Sequence, residues 1–123
     1  MYELTIERSF SAAHHLRDYE GPCARLHGHN YRVEITVAGK TPAANGMLLD
    51  FAQLKATCDE VIQGLDHQCL NDLPEFEEQN VTAENIASHV YRAVAVKLHF
   101  PGTNLVRVRL WESEGSSVTY WED

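Results

Sequence analysis

Tyr31–Arg32–Val33–Glu34–Ile35–Thr36–Val37 alternates apolar and polar side chains without a break. Successive side chains of an extended strand point to opposite faces, so Tyr31, Val33, Ile35 and Val37 share one face and Arg32, Glu34 and Thr36 the other. The amino-terminal stretch repeats the pattern: Tyr2, Leu4, Ile6 and Phe10, with Arg8 among them, oppose Glu3, Thr5, Glu7 and Ser9. These are half-buried strands, and Asn45–Gly46 is a turn signal after the second. Near the carboxyl end, Leu105 to Trp111 and Val118 to Trp121 read as two closing strands.

Between the strand pairs the period changes to that of a helix. Asp50 is placed as an N-cap with Gln53 in the capping-box position. Phe51, Leu54, Cys58, Val61, Ile62 and Leu65 form one apolar stripe, with Gly64 as the stop. A polar, proline-containing connection runs through Asn80, and Thr82 caps a second helix with Glu84 in its first turn. Its stripe is Ile86, Ala87, Val90, Tyr91, Val94 and Leu98, broken by Pro101–Gly102. The order ββααββ predicts an α+β fold of two layers, a four-stranded antiparallel sheet with two helices on one face. At 123 residues, with no linker or repeat, a single domain over 1–123 is expected.

Lys plus Arg number 10 against 18 for Asp plus Glu, a formal charge of −8. That balance disfavours a nucleic-acid partner, which needs a basic footprint to displace phosphate counterions. It leaves room for a small anionic substrate in a local basic pocket. At 44% hydrophobic and 23% charged the chain is an ordinary globule, with no run long enough to span a membrane. Met1 leads directly into Tyr2–Glu3–Leu4–Thr5–Ile6, which lacks the apolar block of a secretory signal. Cys23, Cys58 and Cys69 have no framework spacing, and a reduced, cytoplasmic protein is the expectation.

The chemistry concentrates in Cys23–Ala24–Arg25–Leu26–His27–Gly28–His29. With the second strand starting near His27, His27 and His29 point to the same side and can chelate one cation, for which neutral imidazole suits zinc. Gly28 between them removes bulk where a metal or ligand would approach. Taken alone, such a pair is more often two ordinary strand histidines. A third ligand is available from His14–His15 at the end of the first strand; the two point to opposite faces, and a bulge would exchange them. A free thiol such as Cys23 is mostly protonated at neutral pH, so a base role needs a proton-accepting neighbour. Asp66–His67, just past the first helix, offers one, the carboxylate orienting the imidazole. Glu112, at the end of a strand, could accept two parallel N–H bonds from a heterocycle.

Together these residues resemble the 6-pyruvoyl-tetrahydropterin synthase family, over nearly the whole chain. The resemblance is carried by Phe10–Ser11–Ala12–Ala13–His14, by Cys23 to His29 and by Asp50–Phe51–Ala52–Gln53–Leu54–Lys55. It continues through Leu65–Asp66–His67, Leu70–Asn71, Thr82–Ala83–Glu84–Asn85 and Glu112. Within the family the chain looks most like the bacterial 6-carboxy-5,6,7,8-tetrahydropterin synthases of queuosine biosynthesis. The resemblance implies the tunnelling fold, with Zn2+ held by His14, His27 and His29. It further implies Cys23 as proton acceptor, Asp66 and His67 as its relay, Glu112 as the anchor of the pterin ring and a further catalytic member of the relay, and Thr82 as a pterin contact. Ala83 stands where a hydroxyl residue is frequent and His15 where many members carry Arg. The implied substrate is 7,8-dihydroneopterin triphosphate, whose triphosphate is eliminated; the carboxy-forming enzymes also release acetaldehyde, and the pyruvoyl-forming ones retain the side chain. Arg25 and Lys55 are candidate cations for the triphosphate. A homo-oligomer is implied, a hexamer built from two trimers with sites at subunit contacts. A noncatalytic zinc-binding module and a zinc hydrolase are the rival classes, and neither needs Cys23, Asp66, His67 and Glu112 together.

Overall fold

The alternation around Val33 extends to a strand of 13 residues, His27–Gly39 (β2), in a computed structural model that describes residues Met1–Asp123. It pairs antiparallel with Tyr2–His14 (β1) in one unbroken register, from Tyr2 opposite Gly39 to His14 opposite His27. After β2 come Phe51–Gln63 (α1), Gln68–Cys69 (β3), Ala83–Lys97 (α2), Thr103–Ser113 (β4) and Ser116–Tyr120 (β5). The sheet order is β3-β1-β2-β4-β5.

The expected α+β architecture with two helices is present, but the four-stranded antiparallel sheet and the order ββααββ need correction. The sheet has five strands and is mixed, because Gln68 and Cys69 lie parallel beside Ala12 and Ala13. Two residues cannot display a period-two pattern, so no alternation announces this strand. It is fixed from outside: the His67 N–H donates to the Ser11 carbonyl at 2.6 Å and leads the chain onto the edge of β1. The last strand also ends at Tyr120, leaving Trp121 exposed.

One sheet face carries the core. Ile6, Phe10, Tyr31, Val33, Ile35, Val108 and Leu110 meet Leu54, Cys58, Val61 and Ile62 of α1 and Ile86, Ala87, Val90 and Val94 of α2. Arg8, the exception in the apolar row of β1, is explained by α1: its guanidinium holds both oxygens of Asp59, at 2.7 and 2.9 Å. The opposite face is polar, with Arg107 on Glu3, Arg32 on Glu7, and the Trp111 indole N–H donating to Glu34 at 2.6 Å. Both helix starts use the expected caps. Asp50 accepts from the Ala52 N–H at 2.8 Å, and Thr82 from the Asn85 N–H at 3.1 Å. Phe51 departs from its stripe: as the first residue of α1 it is half exposed, at 50%.

The connection between the helices is more than a polar loop, since Leu70, Phe76 and Val81 are fully buried in the core. Asn71 bonds the His15 backbone through both its amide groups, at 2.9 and 3.0 Å, and Asn80 does the same to Arg17 at 2.8 Å each. These clamps tie the end of β1 to the start of α2. No helix is long and apolar enough to cross a membrane.

Candidate metal centre

At the carboxyl end of β1 the unbroken register puts His14 directly opposite His27 and Ala12 opposite His29. Cross-strand partners share a face, so His14, His27 and His29 project on the core side at one end of the sheet. Their ring centroids are 4.7, 4.8 and 5.2 Å apart, and one nitrogen from each lies within 4.8 Å of the other two. No bulge intervenes in β1, so parity settles which of the two adjacent histidines joins the group. It is His14; His15 has its backbone clamped by Asn71 instead.

The ring nitrogens are arranged as ligands require. His14 Nδ1–H donates to the Val81 carbonyl at 2.8 Å and His27 Nδ1–H to the Arg25 carbonyl at 2.6 Å, which leaves Nε2 of each with a free lone pair. Nε2 of His14 and of His29 are buried without any partner. Burial, the dominant cause, pushes both imidazoles below their ordinary value of 6.5, against the opposing pull of the Val81 carbonyl on His14 and of the Glu112 charge on both. A buried and a half-buried imidazole, each with a buried and unpaired Nε2, and a third beside them form a group that can hold a metal ion. Glu112 reaches the same place from β4, its carboxylate 3.6 Å from His29 Nε2.

Other sequence candidates are not members of this three-histidine group. Asp66 and His67 pair with each other, His67 Nδ1 lying 2.9 Å from the Asp66 carboxylate. The second Asp66 oxygen accepts the Ser11 N–H at 2.9 Å, the first cause holding this carboxyl below its usual range, with His67 the next. His67 takes a left-handed backbone, φ 58°, and its ring is 81% exposed. It lines an open groove of about 460 Å³ with Ser11, Ala13, Gly28, His29 and Cys69. Gly28 belongs to this groove and faces away from the histidine rings. A Cβ there would meet the Ala12 carbonyl at an ordinary 3.6 Å, so its smallness does not make room for a metal.

Cys23 sits in a single helical turn, Pro22–Ala24, whose Cys23 carbonyl accepts the Leu16 N–H at 2.9 Å. Its half-buried thiol is free and bonds neither to the histidines nor to the Asp66–His67 pair of the same chain. Thr82 spends its hydroxyl on capping α2, one residue after the Val81 carbonyl that orients His14. A shallow pocket between Ala83, Glu84, Glu112 and Ser117 joins this helix start to the carboxylate.

Two groups next to the three histidines escaped the sequence. The Val81 carbonyl is a backbone group and carries no side-chain signal. Tyr31 follows His29 by two residues on the same face, and the alternation assigned it wholly to the core.

The family model for 6-pyruvoyl tetrahydropterin synthase matches residues 3–123. The chain belongs to this family. Among curated members of the 6-pyruvoyl tetrahydropterin synthase family it is similar to the 6-carboxy-5,6,7,8-tetrahydropterin synthase of Synechocystis sp., 39% identical over 113 residues, covering 88% of this chain and 85% of that protein. It is also similar to the 6-pyruvoyl tetrahydrobiopterin synthase of Poecilia reticulata, 34% identical over 131 residues, covering 95% and 88%. Among solved structures of the family, Caenorhabditis elegans 6-pyruvoyl tetrahydropterin synthase superposes with a TM-score of 0.86 at 29% identity, over 100% of this chain and 98% of that one. The five-stranded sheet and paired helices are thus the family's fold, the tunnelling fold.

Proposed function

We propose that this chain is a zinc-dependent lyase that converts 7,8-dihydroneopterin triphosphate and one water to 6-carboxy-5,6,7,8-tetrahydropterin, releasing triphosphate and acetaldehyde, in queuosine biosynthesis. The observation that carries the reading is the orphaned pair of buried Nε2 atoms beside His27 and Glu112, in a chain of this family. His14, His27 and His29 would hold Zn2+ through Nε2, and a histidine triad suits a catalytic rather than a closed structural site. When bound, the ion supplies Lewis-acid polarisation of a substrate oxygen.

The remaining roles fall to protein groups. Cys23 takes a proton from the substrate side chain. Asp66, fixed by the Ser11 N–H, holds Nδ1 of His67 so that the other ring nitrogen is free to exchange that proton. Glu112 accepts paired N–H groups of the pterin ring, and the start of α2 at Thr82 flanks the ring. Arg25, whose carbonyl orients His27, and Lys55 are the cations offered to the triphosphate. Within one chain Cys23 makes no bond to the Asp66–His67 pair, which supports a homo-oligomer whose sites combine two copies, of which a hexamer of two trimers is the form proposed.

The Synechocystis relative's name favours the carboxy product, and the names of the Poecilia and Caenorhabditis proteins favour a pyruvoyl product from the same elimination. Mass spectrometry after incubation of zinc-loaded protein with 7,8-dihydroneopterin triphosphate separates them. Acetaldehyde with carboxytetrahydropterin is expected. A pyruvoyl pterin selects the second product, and an unchanged substrate with zinc bound leaves only a metal-binding module.

A further inference from the structure

Tyr31 is the largest fully buried side chain of the protein, and its hydroxyl has no hydrogen-bond partner. A buried polar group left unpaired costs free energy, and Phe would occupy the same space against Phe10 without that cost. The Phe10 ring stacks on Tyr31 at 4.9 Å, so packing alone gives no reason for the oxygen. The Tyr31 ring also borders polar rings. Tyr31 continues the row of His27 and His29 on one face of β2, with ring centroids 5.4 Å from His29 and 6.0 Å from His14.

The buried side-chain polar atoms without a partner are Nε2 of His14, Nε2 of His29 and the Tyr31 hydroxyl. All three belong to neighbouring rings at one end of the sheet. Glu112 acts electrostatically on each of these rings. A phenol keeps its proton at neutral pH, so the Tyr31 hydroxyl has an O–H to donate. If a cation takes the two imidazole lone pairs, no protein acceptor is left for that proton. The acceptor must arrive with the ligand.

We propose that the Tyr31 hydroxyl is a specificity-determining donor, giving a hydrogen bond to an oxygen atom of the ligand that occupies the histidine pocket. Ligands that enter through oxygen, such as the hydroxyl or carbonyl oxygens of a substrate side chain, are thereby preferred over those that enter through nitrogen. The inference rests on the three-histidine reading of the site and adds to it a residue that is not a metal ligand.

The test compares zinc-loaded wild-type protein with zinc-loaded Tyr31→Phe, using acetohydroxamate as an oxygen-donor probe and imidazole as a nitrogen-donor probe. One hydrogen bond is worth about tenfold in affinity, so Tyr31→Phe should bind acetohydroxamate about tenfold more weakly. Imidazole affinity, and zinc retention against a chelator, should each change less than about twofold. Metal-free Tyr31→Phe should melt at or above the wild-type temperature, because an unpaired buried oxygen has been removed. Equal acetohydroxamate affinity in the two proteins overturns the proposal, as does parallel weakening of both probes, which would report a collapsed pocket. A wild type that fails to retain zinc defeats the site reading itself, and chelator competition detects that before any probe is added.

Discussion

Each histidine of the centre is held by a different kind of neighbour, and that decides how it fails. His14 is 2% exposed and satisfies the Val81 carbonyl, whereas His27 lies nearer the surface and leans on the Arg25 carbonyl. Both His14→Ala and His27→Ala should abolish stoichiometric zinc binding, measured as metal content after dialysis. They should differ in stability. His14→Ala leaves the buried carbonyl of Val81 unpaired and is expected to cost about 1–3 kcal/mol in urea unfolding of the metal-free protein. His27→Ala should stay within about 0.5 kcal/mol of wild type by the same measurement, as surface substitutions do. At the same scale, Asp66 shows how one carboxylate can serve fold and site together, one oxygen pinning Ser11 of β1 and the other presenting His67.

Among the elements, α2 carries a titrating group outside the centre. His89 lies against Phe76, with ring centroids 5.4 Å apart, and burial holds its imidazole below the ordinary 6.5 while Glu75 pulls the other way. Unfolded His89 therefore binds a proton at a pH where the folded residue does not. The stability it contributes is complete above about pH 6.5 and is lost as pH falls from there toward the lowered folded value. His89→Leu should flatten part of the fall in melting temperature between pH 7 and pH 5, measured on the metal-free chain. An unchanged slope would assign the acid loss to other groups. Register between β1 and β2 works differently: a slip of one residue would put His14 on one face and His27 and His29 on the other, so the apolar rows that align the strands also assemble the centre.

At the scale of the whole molecule, Cys23 and the Asp66–His67 pair are the proposed catalytic groups that one chain leaves unconnected. A contact between copies that unites them makes a direct prediction. Cys23→Ala and His67→Ala, each inactive alone, should recover roughly a quarter of wild-type turnover when refolded together, the chance that a randomly assembled contact joins an intact Cys23 to an intact His67. No recovery in mixed oligomers of confirmed size would place both groups in the same copy. The polar face of the sheet, with Trp111 between the guanidinium groups of Arg32 and Arg109 at 4.6 and 4.3 Å, is rich in exposed ion pairs that contribute little individually. Its apolar opposite supplies most of the stability.

The period-two rows of β1 and β2, the helical stripes after Asp50 and Thr82, and the His27–Gly28–His29 spacing were all readable in the chain, because each is a local regularity imposed by backbone geometry. What lay beyond it has one physical reason: contacts between residues distant in sequence obey no local period. The choice of His14 over His15 depended on an unbroken β1–β2 ladder, β3 on the backbone bonds of His67 and Ser11, and the orientation of His14 on the carbonyl of Val81, 67 residues away. The unpaired hydroxyl of Tyr31 is the sharpest case. Alternation placed its ring in the core, and only the folded chain shows that ring beside the histidines with its oxygen unpaired.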